Sequence, residues 1–245
     1  MTPAHKKDVL LPANWERDDL SKFLQAAHDN RVATFASKRA QHQKLANIDA
    51  CFLTIATNWL NPVSKITPHL FVRAHATYRA ACEHALAGQL AEVFPMVRVS
   101  LEYAAYALHL FDQPSLEEVW LRRHDNETTL KAVKEAFKIF NIKKTVEKYD
   151  RYNARVFDEL YQRAIDFGGH PNEGALTTSL KLIETDNKVD CLQICLHGDG
   201  IQLEYGLKTV AQTGICVLQV FQDVFKGRFE LLGVRSSLLE LRKGL

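Results

Sequence analysis

From Glu92 to Phe111 the chain is apolar at nearly every position, with Arg98, Ser100, Glu102 and His109 as polar exceptions, and Asp112-Gln113-Pro114 ends the run. A helix that is apolar on almost all sides has no face to offer water, so other elements must enclose it. The chain therefore calls for a bundle built around this segment. Composition agrees: 47% of the 245 residues are hydrophobic and 24% charged, and 11 glycines and 7 prolines leave room for long helices. A chain of this length buries roughly 70–75% of its unfolded surface, enough for a core without disulfide or metal staples.

The flanking segments carry helical patterns of their own. Asn14 ahead of Trp15-Glu16-Arg17-Asp18 predicts an N-cap with acids in the first turn. Leu20, Phe23, Leu24 and Ala27, then Leu45, Ile48, Phe52, Ile55 and Trp59, recur at helical spacing. They predict one long or two consecutive helices over 15–60, stopped by Asn61-Pro62. His69 to Ala87 has one apolar face, with Gly88 at the C-cap. Ser115-Leu116-Glu117-Glu118 reads as a capping box for a helix to about Ile139; a further helix starts at Asn141 or Ile142, lasts to Phe167 and breaks at Gly168-Gly169. Pro171 suits the first position of a short helix ending near Thr178. On either side of Thr185-Asp186-Asn187-Lys188 the period becomes two, predicting a β-hairpin over 179–197. Ile201 to Phe225 is again a long helix, and an apolar tail with Phe229, Leu231, Leu232, Leu238 and Leu239 follows. No repeat, low-complexity tract or linker divides the chain. The expected architecture is a single mainly α domain over 1–245, a bundle of about six to eight helices with one small β-hairpin.

Charge and cysteine usage narrow the function classes. With 31 basic against 29 acidic residues the net charge is +2, so no whole-chain field points to nucleic acid or an acidic membrane. Cys51, Cys82, Cys191, Cys195 and Cys216 are odd in number and read as reduced thiols of a cytoplasmic protein. The first residues contain no apolar stretch of the secretory kind. The longest uncharged runs, Ala50 to Ser64 and Thr209 to Gln222, fall short of the roughly 20 apolar residues of a spanning helix, so no membrane partner is expected. Cys191, Cys195 and His197 suggest zinc ligands, yet residues four apart in a strand lie about 13 Å apart. No HExxH pair, Gly-rich phosphate loop or GxSxG elbow is present. Neither a metal nor a cofactor is expected.

Three constellations could carry chemistry. At 100° per residue Arg98, His109 and Glu102 fall at about 0°, 20° and 40°, a narrow ionisable stripe that must meet water, a partner charge or a polar site. With Tyr103 and Tyr106 it could line the pocket of a small-molecule sensor. In Gly168-Gly169-His170-Pro171-Asn172 the glycines permit a sharp path, and His170 with Asn172 could bind an anion, move a proton or cap a helix. Lys144, Lys148, Arg151 and Arg155 recur at i, i+4, i+7 and i+11, a basic stripe for RNA phosphates or an ordinary solvated face, interspersed with Glu147, Asp150 and Asp158.

Arg98-Val-Ser-Leu-Glu102, Trp120-Leu-Arg122 and His170-Pro171-Asn172 together resemble a group of prokaryotic helical proteins and, more loosely, the HEPN-like superfamily of helical bundles. The resemblance spans residues 70–175 or so. It implies a metal-independent ribonuclease of the toxin and phage-defence kind. Arg163 and His170 match the spacing of that family's Arg and His, while Ala164 stands where the family has Asn, Asp or His. In that chemistry His170 serves as acid or base for attack of a ribose 2′-hydroxyl on the adjacent phosphate, and Arg163 stabilises the developing charge. The preferred expectation is a binding or assembly protein, associated with stress or phage defence, whose polar core combines Arg98, Glu102, Arg122 and His170. The ribonuclease and the small-molecule sensor are the alternatives. The hairpin and C-terminal segment could complete a homodimer or pack within one chain.

Overall fold

The computed structural model describes residues 11–59, 64–169, 173–185 and 188–245. In chain order they form α1 (Asp19–Ser37), α2 (Arg39–Ala56), α3 (Thr67–Ala87), α4 (Leu90–Asp112), α5 (Leu116–Leu121), α6 (Glu127–Ala136), α7 (Ile139–Tyr149) and α8 (Arg151–Ala164). A π-helical turn (Ile165–Gly169), α9 (Glu173–Thr177), β1 (Leu180–Thr185), β2 (Lys188–Gln193), α10 (Ile201–Val224), α11 (Lys226–Leu231) and α12 (Val234–Leu241) complete the path. The fold is mainly α with one small antiparallel hairpin, registered from Leu180 opposite Gln193 to Thr185 opposite Lys188.

The apolar α4 lies at the centre, packed against α3, α7, α8 and α10. Val93, Val97, Leu101, Ala104, Ala105 and Leu108 are fully enclosed, as a helix without a polar face requires. Ser100 satisfies its buried hydroxyl by donating to the Ala74 carbonyl across the α3–α4 contact, 3.0 Å away. Gly88 caps α3 in the left-handed region at φ 76°. Gly214 lets α10 approach its neighbours: a Cβ there would lie 2.5 Å from Tyr78 and 2.7 Å from Ile48. The hydrophobic core runs continuously from α2 to α12.

The elements depart from the sequence expectation where helices begin and break. Asp18, not Asn14, caps α1, its carboxylate accepting from the Ser21 amide at 2.8 Å; Asn14 sits in a preceding turn at φ 74°. Ser115 makes no side-chain cap, and α5 stops after six residues because Arg122-Arg123-His124-Asp125 offers no apolar side to bury. The reciprocal cap belongs instead to Asn126 and Thr129 at the start of α6. Asp150 divides what the sequence presents as one helix: its backbone is extended (φ −149°, ψ 106°), and its carboxylate accepts from the Tyr152 and Asn153 amides. These breaks give more helices than the six to eight expected.

The π-helical turn positions the Gly168-Gly169 segment. Pro95 has no N–H for the Ala91 carbonyl, and Gly168 (φ 153°) packs over that carbonyl so closely that a Cβ would lie 2.5 Å from it. Phe167 is wedged against Phe94 and Tyr205, with ring centroids 5.5 and 5.8 Å away. The hairpin, by contrast, is exposed along both strands, and an Ile194 N–H···O Ser179 bond of 2.7 Å closes its base. The C-terminal segment packs within the chain: α12 lies on α2 with Val234 and Leu238 buried. Among the described residues no helix is long and apolar enough to cross a membrane.

Candidate functional site

The Arg98 stripe divides between two environments. Arg98 Nε donates to Glu102 Oε1 at 2.9 Å, and the Tyr161 hydroxyl of α8 donates to the same oxygen at 2.9 Å. The Arg98 guanidinium and the Lys143 ammonium both lie over the Tyr161 ring, 5.3 and 5.0 Å from its centroid. Burial first, and the Glu102 carboxylate second, push the Tyr161 phenol up to about 12, so it remains a neutral donor. His109 belongs elsewhere. It is buried about three turns further along the same face, with Nδ1 2.7 Å from Thr145 Oγ1 and Nε2 3.2 Å from the Ala136 carbonyl, and burial lowers its basicity.

Arg163 lies beside the Tyr161 cluster. Its guanidinium donates to Thr209 Oγ1 at 3.2 Å and Gln212 Oε1 at 2.8 Å, both neutral, and stacks 5.2 Å from the Tyr205 centroid. A surface groove of about 500 Å³ runs past it, lined by Lys143, Asp158, Gln162, Arg163, Phe167 and Tyr205. His170 and Asn172, together with Pro171, lie outside the described residues.

Three expected groupings do not form. Arg122 is exposed and pairs locally with Asp125 (2.8 Å) and Glu118 (3.7 Å); α5 ends before it, so it joins no core with Arg98 and Glu102. The basic stripe is likewise broken by the Asp150 turn. Lys144 covers Phe140, and Lys148 is paired with Asp112, while Arg151 and Arg155 are exposed on the next helix. Nor do Tyr103 and Tyr106 wall a pocket: Tyr106 stacks on Phe137 at 5.0 Å, and Tyr103 lies under Arg73. Cys191 and Cys195 are exposed while His197 is buried, and among the described residues no three metal-ligating side chains converge.

A larger cavity than this groove lies at the end of the bundle where α2, α4 and α10 finish. It measures about 790 Å³ and is walled by Trp59, Leu110, Phe111, Val224, Phe225 and Leu231. Polar groups stand among these walls, and most are engaged or exposed. Ser64 accepts from the Ile66 and Thr67 amides and donates to Glu117 at 3.0 Å; Arg228 lies over the Trp59 indole at 5.1 Å; Lys226 is exposed. Two groups have no such partner. Among the described residues the buried Trp59 Nε1–H finds no acceptor, and the half-buried Asp223 carboxyl makes no hydrogen bond or ion pair. Burial first, and the Asp150 carboxylate second, raise Asp223 to about 6, against the opposing pull of Lys226.

No protein-family model, curated protein or solved structure matches this chain. What the sites can do thus rests on their own chemistry. The Tyr161 cluster is largely self-satisfied, each charge facing an opposite charge or an aromatic face. The cavity is not: it holds apolar walls, a spare donor and a spare carboxyl, the composition of a ligand pocket. The sequence pattern does not reveal it, because its walls come from three regions far apart in the chain, 58–67, 110–117 and 223–232. One signal was available, since Asp223 is the charge that ends the uncharged run from Thr209 to Gln222.

Proposed function

We propose that this protein binds a small, largely apolar molecule in the Trp59–Phe225 cavity. The observation that carries the reading is a half-open cavity of about 790 Å³ lined mainly by aromatic and aliphatic side chains, with a buried indole N–H that finds no acceptor among the described residues. Ligand pockets typically measure about 300–1,000 Å³ and combine such walls with a few polar groups that set orientation. This keeps the binding role expected from the sequence and moves the sensor pocket from the Arg98 stripe to the bundle end. The test is fluorescence titration with N-phenyl-1-naphthylamine, a neutral probe that brightens in apolar surroundings. Gly227→Trp is the matched variant, because Gly227 lines the cavity and a Cβ there meets nothing within 4 Å. Saturable binding by the wild type, weakened at least tenfold in a folded variant, is expected; equal binding by both, or none by either, refutes the reading.

The ribonuclease is a second reading, favoured by one observation: Arg163 is held in place by neutral acceptors, and among the described residues no bonded carboxylate cancels its charge. It predicts cleavage of labelled RNA that persists in EDTA and disappears in folded His170→Ala. Intact RNA with the wild-type protein eliminates it.

A further inference from the structure

Asp223 stands in the last turn of α10, where the helix dipole presents its negative end. A carboxylate has the wrong sign for that place, and no basic residue occupies the turn. The C-terminal ends of α2 and α4 open onto the same cavity through Asn58, Trp59, Leu110 and Phe111, so three helices direct negative ends toward it. Against them stand the starts of α3, whose first amides Ser64 already satisfies, and of the short α5 and α11, so the helix ends nearly balance and Asp223, on the negative end of α10, is left as the local feature. Of the two basic side chains, Arg228 is engaged over Trp59, and Lys226, three residues after Asp223, forms no ion pair with it among the described residues. The walls nearest these helix ends include the Phe111 and Phe225 rings, whose faces attract cations.

Building on the cavity reading, we propose that the ligand is a cationic amphiphile: an apolar body fills the cavity, and its ammonium group is bound by the Asp223 carboxylate. The ammonium would supply the carboxylate's missing partner and the positive charge that the last turn of α10 lacks in one contact. The upward displacement of the free carboxyl fits a site that holds its negative charge poorly when no cation is present.

The experiment displaces bound N-phenyl-1-naphthylamine at pH 8 with dodecylamine, dodecanol or dodecanoate, each below its micelle concentration. Equal chain length holds the apolar contribution constant, and an alkylamine stays protonated at this pH, as a lysine does. Dodecylamine is expected to displace the probe at a concentration at least tenfold lower than dodecanol, with dodecanoate weakest. Asp223→Asn should erase the advantage of amine over alcohol, and Asp223→Glu should restore most of it. Equal potency of amine and alcohol on the wild type, or an amine preference that survives in Asp223→Asn, overturns the proposal. Those results leave the cavity reading intact. That reading fails separately, when Gly227→Trp does not alter probe binding.

Discussion

At His109 the partners decide the tautomer. A carbonyl can only accept, so Nε2 carries the proton donated to Ala136, and Nδ1 accepts from the Thr145 hydroxyl at 2.7 Å rather than leaving that proton on the Asn141 carbonyl at 3.3 Å. Thr145→Val keeps the shape and removes the donor, stranding a buried ring nitrogen. A loss of about 1–3 kcal/mol in denaturant unfolding is expected. The thiols give a second residue-scale test. Cys191 and Cys195 are exposed, whereas Cys51 and Cys216 are buried and burial pushes the Cys82 thiol up to about 12. A colorimetric thiol reagent should therefore modify Cys191 and Cys195 in the folded protein and reach the other cysteines only on unfolding. Fast labelling of Cys216 in the native state would contradict the packing of α10.

Among the elements, α3, α4, α10 and the hairpin could be read from the sequence nearly to their ends, because a strong apolar period or a clear Gly or Pro boundary marks each. The helix breaks at Arg122 and Asp150 could not. Both sit in polar stretches where periodicity fades, and at Asp150 a single extended residue redirects the chain without any Gly or Pro to announce it. That turn is also why four basic residues aligned on paper occupy two helices. Removing the cap with Asp150→Ala should cost about 1 kcal/mol of stability, seen as a lower denaturant midpoint. The close approach of α10 is sharper still. Gly214→Ala places a methyl against the Tyr78 ring and Ile48, and about 1–3 kcal/mol of overpacking loss is expected. Of the candidate site residues, the Arg98–Glu102 pairing was legible from its four-residue spacing, but its Tyr161 partner, 59 positions from Glu102, was not. The cavity was invisible for the same reason: distance along the chain hides contacts that tertiary packing makes.

For the molecule as a whole, two buried histidines and the half-buried Asp223 set opposing trends with pH. Burial lowers His75 and His109, in His75 despite the Asp49 carboxylate 2.6 Å away, so the unfolded chain takes up protons near pH 6.5 that the folded protein refuses. Their stabilising contribution is present above that value and is lost as pH falls toward the folded values. Asp223 works the other way. Its raised folded value means that the native state binds a proton between about 6 and 3.8 while the unfolded chain does not, which adds stability as pH falls through that window. Asp223→Asn is therefore expected to lose stability more steeply between pH 6 and 4 than the wild type; parallel urea midpoints over that range would refute the assignment. The hairpin plays little part in this balance, because both strands are exposed while its base is tied at Ser179 and Ile194. Replacing residues 180–193 with a short Gly-Ser turn should leave the melting temperature within a few degrees, about 1 kcal/mol or less. A segment on which the bundle does not lean, and whose two roots are already held side by side, is a ready graft point: a reporter domain or an immobilisation tag inserted there should ride outside the bundle.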